Sequence, residues 1–90
     1  TWAGSERIVV AVSELPGADG LVRAAKRMAD AQRAPWTAVY VETARSKTLD
    51  PDAHRRIAEV LNLAAQLGGN TANVPAETIL DGLKAFTTEA

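Results

Sequence analysis

The sequence contains no cysteine, which removes disulfides, thiolate metal sites and a cysteine nucleophile, and permits a reducing compartment. It also lacks an excess of charge: 10 basic residues against 11 acidic ones leave a formal net charge of −1. No overall basic field exists to hold a nucleic-acid backbone or an anionic membrane surface, so nucleic acid is not expected as a partner. Long apolar runs are missing too. The longest, Ile8 to Val12, falls far short of the roughly 20 residues that cross a bilayer, and no basic-then-apolar leader precedes it. A soluble chain is therefore expected. Histidine occurs once, as His54, without a second ligand at metal spacing. Neither GxGxxG nor GxxxxGK[ST] is present, so no dense glycine cradle for phosphates can be placed.

What is there alternates between two kinds of segment. Arg7 to Ser13 (RIVVAVS) is a β-branched apolar run without polar alternation, which suits a central strand of a parallel sheet, buried on both faces. Glu14 to Gly20 (ELPGADG) has turn composition, with Asp19 placed to cap the following helix. In that helix Leu21, Val22, Ala25, Met28 and Ala29 recur at helical spacing, opposite Arg23, Lys26, Arg27 and Asp30. Trp36 to Glu42 (WTAVYVE) reads as a second strand, and Thr43 to Leu49 as a polar loop.

Asp50 followed by Pro51 opens a second helix, whose stripe of Ile57, Val60, Leu61, Ala64 and Leu67 ends at Gly68. Thr71 to Val74 is a short third strand, and Ile79, Leu80, Leu83 and Phe86 mark a third helix after Pro75. The order βαβαβα implies an α/β fold with right-handed crossovers, a parallel sheet and helices on its faces. Residues 1–90 form one domain. Its abrupt ends at Thr1 and Trp2 and at Ala90 suggest an excised piece of a larger doubly wound domain, lacking its last strands and leaving strand one unpaired on its outer side. Near-complete burial is expected for Val9, Val10, Val39 and Val41, and for Leu21, Ala25, Met28, Ile57, Leu61 and Leu83.

Ligands of open parallel sheets bind outside the carboxyl ends of the strands. Two loops qualify, bringing Ser13, Gly17 and Asp19 to the same edge as Glu42, Thr43 and Arg45. The first feeds a helix N-terminus whose free amides could meet an anion, but it also reads as an ordinary strand-to-helix turn. Ser13 has no base nearby in sequence and reads as a hydrogen-bonding strand end rather than a nucleophile. Trp36 and Tyr40 stand four apart, on one face of their strand; Trp36 reads as core, while Tyr40 suits either core packing or stacking on a base. No catalytic and no metal-ligating residues are expected. The ligand-binding candidates are Ser13, Gly17, Asp19, Tyr40, Glu42 and Arg45.

Three stretches carry a resemblance: LVRAAKRMA at Leu21 to Ala29, APWTAVYVET at Ala34 to Thr43, and AAQLGG at Ala64 to Gly69. Together they resemble the universal-stress-protein-like domain of the KdpD family, the osmosensitive potassium-channel sensor histidine kinases. WTAVYVET is the most specific part, because strand requirements alone rarely produce that order. The resemblance implies a cytoplasmic regulatory domain of an inner-membrane kinase that responds to potassium limitation or osmotic stress and phosphorylates a response regulator. It implies as partners the other domains of that kinase, a universal stress protein or a second copy, with the membrane reached only through the parent protein.

The ligand implied is an adenine nucleotide, ATP or cyclic di-AMP. Ser13 stands where ATP-binding universal-stress domains usually end strand one with an aspartate, and their glycine-rich loop after strand four has no counterpart here. Of the serine pair used for cyclic di-AMP only Ser13 is matched, since Glu14 and Leu15 follow it. The rival readings are a stand-alone nucleotide-binding universal stress protein and, from the enzyme class, a small α/β transferase or hydrolase. The last lacks any assembly of base, nucleophile or metal cluster.

Overall fold

A computed structural model describes residues 7–88; the chain ends at Thr1, Trp2 and Ala90 lie outside them. The order is β1 (Ile8–Ala11), α1 (Ala18–Gln32), β2 (Trp36–Glu42), a 3-10 helix (Ala44–Thr48), α2 (Pro51–Gln66), β3 (Asn70–Pro75) and α3 (Ile79–Thr88). Three parallel strands lie in the order β1-β2-β3, with Ile8 opposite Trp36 and Thr37 opposite Asn70. This is the expected α/β arrangement with alternating helices. The loop after β2 differs from expectation in folding into a 3-10 helix.

β2 is the hub of the sheet. Its residues Trp36 to Val41 are all buried, and period-2 alternation divides them between two layers. Trp36, Ala38 and Tyr40 join Val22, Ala25 and Ala29 of α1 and Ile57, Val60 and Ala64 of α2 in one apolar cluster. On the other face α3 approaches so closely that a Cβ added at Gly82 would lie 2.6 Å from Val41 Cγ1. The end of α3 is tied to the start of β1, where Arg7 Nη2 donates to the Phe86 carbonyl at 3.1 Å and its guanidinium carbon lies 4.9 Å from the Phe86 ring centroid.

The helix ends follow local chemistry. Asp50 is the N-cap of α2, its Oδ1 accepting from Ala53 N at 2.7 Å, with Pro51 in the first turn. Gly68 closes α2 at φ 91°, a conformation that costs glycine little, and the Gly68 and Gly69 amides donate to Ala65 O and Ala64 O. Asp19, by contrast, is not a cap. Gly17 takes the N-cap position at φ 96° with no side-chain hydrogen bond, and Asp19 falls within the first turn, where a carboxylate still complements the helix dipole.

Several burial expectations are corrected. Leu21 and Met28 are 56% and 52% exposed. Ala18, Val22, Ala25 and Ala29 form the buried stripe, and at 100° per residue Leu21 and Met28 fall roughly 80° from its centre, on one flank of the helix. Val9 and Val10 are half-buried, because β1 pairs with β2 on one side only among the described residues and is not central. Its outer side is unpaired there, as expected. Leu61 and Leu83 are also half-buried, whereas Val39, Val41, Ala25 and Ile57 are buried.

Val22 is fully buried, so Val22→Ala should cost about 2–3 kcal/mol through lost burial and the cavity it leaves. Gly82→Ala should cost about 1–3 kcal/mol by forcing α3 off Val41, whereas Leu21→Ala should stay within about 0.5 kcal/mol. Urea unfolding midpoints check all three; a Leu21 loss matching that of Val22 would put the α1 core face in the wrong place.

Candidate functional site

Because all three strands run parallel, the segments after β1, β2 and β3 emerge at one edge of the sheet. The first two are joined directly: Arg45 Nη2 donates to Glu14 Oε2 at 3.4 Å. Arg56 of α2 adds a second tie, its Nε donating to the Glu14 carbonyl at 3.0 Å. Ser13 Oγ accepts from Leu15 N at 3.2 Å, which shapes the first loop as a tight turn.

The segment after β2 is organised by Thr43 and Ser46. Thr43 N donates to Ser46 Oγ at 2.9 Å, and Ser46 N donates to the Thr43 carbonyl at 3.0 Å. Ser46 is buried at 9% exposure. The turn therefore places Arg45 and Lys47, both exposed, on either side of a buried hydroxyl.

Three clefts bordered by the expected residues open along this edge. The first, of about 190 Å³, lies between the ends of β1 and β2 and is lined by Ser13, Glu14, Tyr40, Thr43, Arg45 and Ile79 among others. The second, of about 420 Å³, shares Tyr40 and Thr43 and continues to Glu42, Lys47, His54 and Pro75 beside β3. The third, of about 300 Å³, runs between the first loop and α2, where Ser13, Gly17 and Asp19 face Arg56 and Glu59.

The six residues expected from sequence thus reach one edge but do not share one cavity. Ser13 borders the first and third clefts, and Tyr40 the first and second. Arg45 belongs to the first, Glu42 to the second, and Gly17 and Asp19 to the third. Tyr40 serves two purposes, since it is buried in the apolar cluster and also forms a wall of two clefts. Sequence reasoning missed Glu14, Ser46 and Arg56. The Thr43-x-x-Ser46 spacing of a reciprocal cap was legible, whereas the long-range partners of Glu14 were not.

His54 lies beside Lys47 in the second cleft and is exposed. Among the described residues no group of three His, Cys, Asp or Glu side chains could hold a metal ion. None of their helices is long and apolar enough to cross a membrane.

The fold defines the class. The structure is similar to that of a universal stress protein from Archaeoglobus fulgidus, with a TM-score of 0.59 and 21% identity, covering 92% of this chain and 68% of that one. The chain has a universal-stress-protein-like α/β fold. In sequence the chain is 38% identical over 78 residues to the sensor protein KdpD of Escherichia coli (strain K12), covering 84% of this chain and 9% of that protein. It is 32% identical over 79 residues to the sensor protein KdpD of Clostridium acetobutylicum, covering 88% of this chain and 9% of that one. The chain is homologous to a segment of the KdpD sensor proteins, and spans about 9% of the length of these relatives. No protein-family model matches it.

Removing the Ser46 hydroxyl strands a backbone amide in a part-buried turn, so Ser46→Ala should cost about 1–3 kcal/mol. Thr48→Ala deletes an exposed hydroxyl bonded only to the Arg45 carbonyl and should stay within about 0.5 kcal/mol. Equal losses in thermal unfolding would show that Ser46 does not organise the turn.

Proposed function

We propose that this chain is the regulatory, non-catalytic segment of a KdpD-type sensor histidine kinase, on the cytoplasmic side of the inner membrane. There it biases phosphorylation of a response regulator under potassium limitation or osmotic stress. The observation that carries this reading is the homology to KdpD over 84% of the chain, including the WTAVYVE strand on which the clefts are built. Its mechanism is a population shift: the segment favours one kinase state over another through differential contacts with a ligand or a neighbouring domain.

The other domains of the same kinase are the first partners of this reading, with a universal stress protein or a second copy as further ones. The candidate ligand of this reading is an adenine nucleotide, ATP or cyclic di-AMP, at the cleft beside Ser13 and Tyr40, with protein contacts alone as the alternative. Tyr40 and Arg45 both line that cleft, the one an aromatic wall and the other a cation. In this reading the phosphotransfer site lies elsewhere in the kinase, and His54 is an exposed residue of the first turn of α2.

Excising residues 7–88 from the whole kinase that carries this segment should leave autophosphorylation intact. It should also flatten the dependence of response-regulator phosphorylation on potassium, measured with radiolabelled ATP in membrane vesicles across a potassium series. Loss of autophosphorylation itself would make the segment part of the catalytic machinery, and an unaltered potassium response would remove its regulatory role.

A further inference from the structure

At the carboxyl edge of the sheet one charged side chain is nearly enclosed. The Glu14 side chain is 11% exposed, while that of its partner Arg45 is 71% exposed. Glu14 is held at both ends, its carboxylate by Arg45 and its carbonyl by Arg56. It lines the cleft between β1 and β2, the cleft along α2, and a further cleft beside Leu49 and Asp50. An anion entering beside Ser13 would meet this carboxylate in a part-buried setting, where charge interactions are several times stronger than in water. The same carboxylate engages Arg45, the cation lining that cleft. At 3.4 Å the contact is longer than a tight charge-assisted hydrogen bond, and Arg45 is largely in solvent, so the pair can be exchanged.

We propose that Glu14 is an affinity-setting residue of the β1–β2 cleft, an internal anion that engages Arg45 and weakens the binding of phosphate-bearing ligands relative to the bare nucleoside. Such a ligand enters by displacing the Glu14–Arg45 contact, not by adding to it. The inference rests on the reading that this cleft takes an adenine nucleotide, and it adds the residue that sets the threshold for binding. In this role Glu14 raises the ligand concentration needed to engage the cleft without touching the base.

Calorimetric titrations of the chain and of its Glu14→Gln variant with cyclic di-AMP, ATP and adenosine test this, with circular dichroism to verify folding. Glu14→Gln should bind both phosphate ligands at least about tenfold more tightly than the parent chain, with adenosine affinity unchanged. Combining it with Arg45→Ala should cancel the gain. Glu14→Ala, which removes the charge with a different side chain, should reproduce the order.

If the parent chain binds the nucleotides and Glu14→Gln binds them no more tightly, the role of Glu14 is overturned while the cleft reading stands. An equal gain for adenosine would mark a change of shape and not of charge, and would overturn it too. No nucleotide binding by any variant would refute the cleft reading itself, and Glu14 would then have no anion to exclude.

Discussion

The burial of β2 governs the rest of the structure. A strand paired on both sides and covered on both faces must satisfy its backbone through its neighbours and present apolar side chains in both directions. Trp36, Ala38 and Tyr40 supply one layer, and Val39 and Val41 the other. Small side chains at Ala25, Ala29 and Ala64 let α1 and α2 approach the first layer, and Gly82 lets α3 approach the second. α2 then needs a sharp start and a sharp stop, which Asp50–Pro51 and Gly68–Gly69 supply.

The same parallel arrangement creates the candidate site. Since every strand points the same way, each following segment is delivered to one edge, and residues distant in sequence come together without any local motif. Glu14 and Arg45 are 31 residues apart and Glu14 and Arg56 are 42 apart, yet they converge where β1 and β2 end. Tyr40 links this edge to the core. Its ring is anchored among apolar side chains while one side borders two clefts, so occupancy of a cleft and packing of the core act on the same side chain.

Much of the fold was legible in the sequence because its signals are local. The bounds of β2, the Asp50 cap, the stop at Gly68 and the placement of β3 follow from β-branched runs, cap residues and glycine, each acting over a few residues. The failures came where periodicity alone was asked to rank burial. Leu21 and Met28 are apolar and at helical spacing, but a stripe has an axis, and alanines lie closer to it. Asp19 was expected to cap because acidic side chains favour that position, while Gly17 occupies the cap position two residues earlier.

By itself, then, the sequence determined the class of fold, the element order and the likeness to KdpD, since these rest on local propensity and on residue order within single segments. It also determined that the strand-end loops would share an edge, because alternation of strand and helix forces parallel pairing. Only the tertiary structure decided that Leu21 and Met28 would lie on an exposed flank of α1, and that the six candidate residues would divide among three clefts. It alone placed the Glu14 carboxylate against Arg45. These depend on the distance between segments far apart in the chain, a quantity that no spacing within either segment contains.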